Sequence, residues 1–147
     1  GSYCETRLVW LRDTLVKANE DNVYLFMHHP PFDVGIPSVD RLGLGADGRK
    51  MGELLAEFDN IRHLFFGHVH RPIAGSWQGI PYSTLRGTNH QVPLDFKAVE
   101  VVPKSHEPPA YAIVFLDDGQ TTVHFHDYLD TSRLQYEKIS EGRPDRR

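Results

Sequence analysis

Two short stretches carry the residue types that could do chemistry: His28-His29-Pro30-Pro31 and Gly67-His68-Val69-His70. Each follows an apolar run rich in strand formers, Val23–Met27 and Ile61–Phe66. Imidazole is the commonest metal ligand, and neutral imidazole nitrogens suit first-row divalent metals. Gly67 allows a tight turn, and in a turn His68 and His70 can converge on one centre or on two adjacent ones. For that pair alone, surface histidines at a strand end would be a serious alternative. The His-x-Pro at the end of the other strand tips the balance to metal binding. Pro30 and Pro31 stop the first strand at a defined point. Neighbours on an extended chain point opposite ways, so His28 is expected to be the ligand and His29 a supporting group.

The surrounding elements must bring the two stretches together. Residues 5–19 read as a helix, with Leu8, Leu11, Leu15 and Val16 recurring at helical spacing. Residues 23–27 read as a buried strand. Residues 29–46, with three prolines, three glycines and no periodicity, read as a long loop, functional or mobile. Asp47 is expected to cap a helix over 48–58, whose apolar face is Met51, Leu54, Leu55 and Phe58. Residues 61–66 form the next strand. If the two strands are parallel neighbours, their carboxyl ends share one rim of the sheet, where ligands of open α/β sheets bind. His28, His68 and His70 then meet despite their separation in sequence. Residues 71–84 read as short strands around Gly75 and Gly79, 85–109 as loop, and 110–116 with 121–129 as a hairpin. Residues 130–147 read as a polar, fraying tail.

The chain has 147 residues, 39% of them hydrophobic and 24% charged, which suits a single α/β domain over 1–147. A net charge of −4 argues against nucleic acid or an anionic membrane as partner. Cys4 is the only cysteine, so no internal disulfide forms; this and the lack of a secretory signal or long apolar run suit the cytoplasm.

Other residues have plainer readings. Asp33, Asp40 and Asp47 suit turns and caps. His63 should be a packed or an edge histidine of its strand, and His124 and His126 lie on one surface face of theirs. Arg71 could meet a phosphate or an acidic side chain. Trp77 and Tyr82 suit the core, and Cys4 is assigned no chemistry.

The stretches "LFMHHPPF" and "HLFFGHVHRP" resemble the carboxyl-terminal half of the calcineurin-like metallophosphoesterases, most of all the bacterial cyclic-nucleotide phosphodiesterase and glycerophosphodiesterase group. The resemblance runs from about Trp10 to Asp130. It implies half of a four-layer αββα sandwich and hydrolysis of a small phosphodiester or cyclic nucleotide. It also implies two divalent ions (Fe, Mn or Zn) in the complete enzyme, one held by His28 and His68 and the other by His70. The stretch "IPYSTLRGTNHQV", with Asn89 and His90, is similar to the substrate-side segment of that group, and residues 108–129 to its closing hairpin.

The family's first half supplies Asp-x-His, Gly-Asp and Gly-Asn-His motifs, none of which occurs in these 147 residues. Thr88-Asn89-His90 lacks the glycine and follows Gly67–His70 rather than preceding it. The chain therefore reads as a partial domain, starting at Gly1-Ser2 rather than Met, that takes up metal weakly and hydrolyses almost nothing alone. A non-catalytic dimerising or metal-binding module is the alternative. Half a sandwich leaves a sheet edge and an apolar face open, so a homodimer is expected.

Overall fold

A computed structural model describes residues 1–130 together with 132 and 136; most of the expected polar tail lies outside the described residues. The first helix, α1 (Glu5–Lys17), buries Leu8, Leu11 and Leu15, one stripe at spacings of three and four. Val16 was expected on that stripe but is 59% exposed, because the residue after Leu15 is turned about 100° away from it. The carbonyl of Cys4 accepts from the N–H groups of Arg7 and Leu8 and so starts the helix.

Strand β1 (Val23–Met27) lies parallel to β2 (Ile61–Phe66), with Met27 opposite Phe66. Asn60 fastens the start of this pair. Its Nδ2 donates to the carbonyls of Ala18 and Asp21, each at 2.8 Å, and its own carbonyl accepts from Val23 N–H. Strand β4 (Ile80–Thr84) runs parallel to β2 on its other side, with Thr84 opposite Phe66, and β3 (Ile73–Trp77) closes the sheet antiparallel to β4. The order is β1-β2-β4-β3. The three parallel strands therefore end on one rim, as Met27, Phe66 and Thr84.

Between β1 and β2 the chain forms α2 (Pro37–Asp40) and α3 (Ala46–Leu55). The first was expected to be loop: one turn is too short to show a period. Pro37 sits at its start, where a missing N–H costs nothing. The Asp40 carboxylate accepts from Val34 N–H at 2.7 Å and Gly35 N–H at 3.0 Å, and Ile36 and Val39 bury against Val69 and Val92. Asp47 does not cap α3; the cap position is Gly45, and the Asp47 carboxylate instead accepts from Tyr3 N–H at 2.9 Å. That contact ties the amino-terminal segment to α3. Met51, Leu54 and Leu55 bury with the leucines of α1 and with Leu64, Phe66 and Ile80 of the sheet, and Phe58, Trp77 and Tyr82 pack partly buried against them.

The opposite face of the sheet is less covered. Phe26 is 74% exposed and stacks on Phe65 at 4.6 Å. Strands β5 (Tyr111–Asp117) and β6 (Gln120–His126) form the expected hairpin as a separate two-stranded sheet, with Gly119 at φ 75° in its turn. No helix among the described residues is long and apolar enough to cross a membrane.

Candidate metal centre

The rim receives three chain segments, one from each parallel strand. At the end of β1 the ladder continues for one more bond, from Gly67 N–H to Met27 C=O at 3.2 Å. A Cβ on Gly67 would lie 3.1 Å from His28 Nδ1, so glycine is what lets the His28 ring lie against the second turn.

That second turn is tight. Val69 N–H donates to Gly67 C=O at 2.7 Å, and His68 between them has φ 63°. His70 is also left-handed, with φ 47°. Each such backbone costs a non-glycine residue about 1–2 kcal/mol. Val69, fully buried against Ile36, Val39 and Val92, holds the turn down. Strain concentrated on two histidines beside a buried anchor is the pattern of a functional turn.

His28, His29 and His68 converge. One nitrogen from each lies within 4.8 Å of the other two, the one group of three or more potential metal ligands among the described residues. The ring of His68 lies 5.3 Å from that of His28 and 4.2 Å from that of His29. His68 Nε2 is buried and has no hydrogen-bond partner. Burial, then the neighbouring His29 and His28, pushes the His68 pKa down to about 4. The His29 pKa is lowered by burial, by the amino terminus and by His28. Both are therefore neutral near pH 7, the form that offers a lone pair to a metal. Three imidazoles with one nitrogen each within 4.8 Å of the others are a donor set that fits a divalent ion.

This differs from the sequence reading at His29. The strand ends at Met27, and Pro30 carries the chain away, so the alternation of an extended strand does not govern residues 28 and 29. Their rings meet edge-on at 4.7 Å. The His-His-Pro order held the clue, since proline forbids the strand from continuing. His70 lies outside the group of three. Its Nδ1 bonds to the His90 carbonyl at 2.8 Å, and its ring lies 4.5 Å from that of His90. Asn89 is exposed on the loop that β4 delivers to the rim.

The remaining candidates take structural roles. Arg71 donates to Val92 C=O at 3.1 Å and lies 3.6 Å from Glu107. Arg86, which the sequence reading passed over, pairs with Asp127 at 2.6 Å and ties this loop to the end of the hairpin. His124 and His126 pack against Phe115 and Tyr111 on the hairpin. His63 is buried, with Nε2 2.9 Å from Ser83 Oγ and its ring stacked on Phe65. Burial lowers its pKa below that of the unfolded chain, about 6.5. As pH falls through about 6.5 the unfolded chain takes up protons that folded His63 refuses, so stability falls toward the lower folded pKa; above this window His63 contributes no slope. We expect the urea midpoint of the metal-free chain to drop between about pH 7 and pH 5, and His63→Gln to flatten that slope. His29 and His68 shift in the same direction, so the variant should remove a share of the slope; an unchanged slope would contradict the assignment.

No protein-family profile matches the chain. Curated relatives do. A probable cyclic nucleotide phosphodiesterase of Rhodopseudomonas palustris is 42% identical over 125 residues, 84% of this chain and 45% of the relative. A probable glycerophosphodiester phosphodiesterase of Arcobacter nitrofigilis is 31% identical over 88% of this chain and 47% of its own length. The 3',5'-cyclic adenosine monophosphate phosphodiesterase of Escherichia coli is 30% identical over 97% and 50%. The chain thus spans about half the length of the curated relatives it matches. With the two histidine turns on one rim of a parallel sheet and these homologues along most of its length, the chain belongs to the calcineurin-like metallophosphoesterases.

Proposed function

We propose that this chain is the carboxyl-terminal half of a four-layer αββα domain whose complete form is a metal-dependent phosphoric-diester hydrolase acting on a cyclic nucleotide or another small phosphodiester. The observation that carries the reading is the buried, unpartnered His68 Nε2 among the rings of His28 and His29. In this reading His28 and His68 hold one divalent ion with His29 as the third imidazole of that donor set, and His70 serves a second ion. Divalent ions, when bound, supply charge neutralisation at the phosphoryl oxygens and water of lowered pKa. Asn89 and His90 stand on the substrate side, on the loop that also holds His70 Nδ1.

The group of three contains no carboxylate. Neutral imidazoles do not offset the charge of two dications, so the chain alone should hold one metal weakly and turn over almost nothing. The same observation favours a second reading, a non-catalytic metal-binding or dimerising module derived from the fold. The open sheet face around Phe26 and Phe65 supports self-association as a homodimer, and an exposed free Cys4 suits the reducing cytoplasm.

One preparation tests these points. Equilibrium dialysis with Zn²⁺ or Mn²⁺ should give uptake that depends on His28, His68 and His70, with negligible hydrolysis of bis(p-nitrophenyl) phosphate. Sedimentation velocity at micromolar concentration should show a dimer, and a clean monomer would end that part of the proposal. Robust turnover by the chain alone, lost in His68→Ala, would overturn the half-site reading and make Asp33, Asp40 and Asp47 the first candidates for a missed carboxylate. An upstream reading frame carrying Asp-x-His, Gly-Asp and Gly-Asn-His would decide for the enzyme over the module.

A further inference from the structure

Gln91 is a polar side chain only 1% exposed, among the most deeply buried in the chain. Burying an amide is costly unless its donors and acceptor are satisfied. Here they are used in an unusual way. Gln91 Oε1 accepts from Gly87 N–H at 2.8 Å, and Gln91 Nε2 donates to Gly87 C=O at 2.7 Å. The side chain thus pairs with both backbone groups of one glycine, as a neighbouring strand would, and closes the loop Gly87-Thr88-Asn89-His90-Gln91. The main chain of Gln91 is held as firmly: its N–H donates to Ser105 C=O at 3.0 Å and its carbonyl accepts from Ser105 N–H at 2.9 Å.

Inside this closed loop sits the His90 carbonyl, 2.8 Å from His70 Nδ1. A carbonyl oxygen only accepts, so Nδ1 must carry the proton, and Nε2 of neutral His70 is left with its lone pair. Free neutral imidazole favours the opposite tautomer, with the proton on Nε2. The fit is close. A Cβ on Gly87 would lie 3.0 Å from both His70 Nδ1 and the His90 oxygen. Val92 N–H, next to Gln91, in turn reaches His70 C=O at 3.4 Å.

We propose that Gln91 is a positioning residue: by closing the 87–91 loop it holds the His90 carbonyl on His70 Nδ1 and sets His70 in the tautomer whose Nε2 is free to bind a metal. The tautomer stands on the hydrogen bonds alone; only its use by a metal rests on the function proposed above.

The test uses the metal-free chain labelled with ¹⁵N at histidine, at about pH 8, where imidazole is neutral. Long-range ¹H–¹⁵N correlations read the tautomer of each ring, and His70→Gln identifies the His70 signals. In the unaltered chain His70 should show the proton on Nδ1. In Gln91→Leu, which keeps the bulk and removes both amide bonds, His70 should shift toward the Nε2-protonated form while His63 keeps its pattern. Gln91→Glu, which retains an acceptor for Gly87 N–H, should shift less. A Nε2-protonated His70 in the unaltered chain overturns the proposal, and this result needs no variant to fold. An unmoved tautomer in a folded Gln91→Leu or Gln91→Glu also overturns it if neither variant shifts. Zn²⁺ affinity of Gln91→Leu should fall by ~10–100-fold, the usual effect of losing a group that orients a ligand. A tautomer that shifts with unchanged Zn²⁺ affinity upholds the positioning role and removes His70 from the proposed metal set.

Discussion

His68→Ala should bind Zn²⁺ at least ~100-fold more weakly than the unaltered chain, because losing a ligand should exceed the 10–100-fold cost of losing a group that merely orients one. The position is singled out by its surroundings. His28 is exposed and His29 half-buried, but His68 Nε2 is buried with no hydrogen-bond partner. Leaving such an atom unsatisfied costs about 1–3 kcal/mol in the metal-free fold. Alanine at φ 63° bears the same backbone strain, so the substitution removes the orphaned nitrogen without relaxing the turn. The metal-free His68→Ala chain should therefore be as stable as the parent, or more so. Metal should separate the two. At Zn²⁺ a hundredfold above the parent's Kd, the parent gains about 2.7 kcal/mol and the variant about 0.4 kcal/mol or less. Urea denaturation of both, with and without Zn²⁺, makes the comparison. Equal Zn²⁺-linked stabilisation would exclude His68 from the site; a metal-free variant much weaker than the parent would mean that His68 is a packing residue.

The second large effect is at Gly48, remote in sequence from every histidine of the site. A Cβ there would lie 1.9 Å from the Pro31 carbonyl oxygen and 2.7 Å from its carbon. The obstacle is backbone, which cannot turn aside as a side chain tip can. Overpacking typically costs ~1–3 kcal/mol, and Gly48→Ala should reach at least the top of that range. The strain falls on the segment His28-His29-Pro30-Pro31, whose prolines are buried. The variant should thus lose Zn²⁺ affinity by ~10-fold or more along with stability, since ligands are useful only where their support holds them. Gly119→Ala is the comparison. Its φ is 75° with no atom within 4 Å of the added carbon, so it should cost only the backbone penalty of about 1–2 kcal/mol and leave Zn²⁺ uptake alone. If Gly48→Ala matched Gly119→Ala in both measurements, α3 would not be the clamp that holds the first histidine turn.

Some of this was legible in the sequence. The stripe of Leu8, Leu11 and Leu15 specified a helix, and the runs Val23–Met27 and Ile61–Phe66 specified strands, because side-chain periodicity and strand propensity are local properties. Burial was expected of both strands, but β1 is an edge strand with no fully buried residue and Phe26 74% exposed, so only β2 is a buried one. A helix between the two strands made them parallel neighbours, and parallel neighbours end on one rim. His28 follows the first end directly and His68 follows the second after Gly67, so their meeting was already implied by chain order.

What lay beyond the local pattern needed the tertiary structure. Proline after His29 ended the strand early enough to turn two neighbouring rings into one site, and alternation could not foresee it. The single turn Pro37–Asp40 exists because Ile36 and Val39 find Val69 and Val92, residues far along the chain. Asp47 looked like a cap but was claimed by Tyr3 N–H across the fold. Gln91 carried no signal at all: an amide becomes a loop clamp only when Gly87 and Ser105 are brought to it. Periodicity records which face of an element is apolar. Which partner satisfies a buried polar atom is decided by distances between segments remote in sequence, and those distances exist only once the chain has folded.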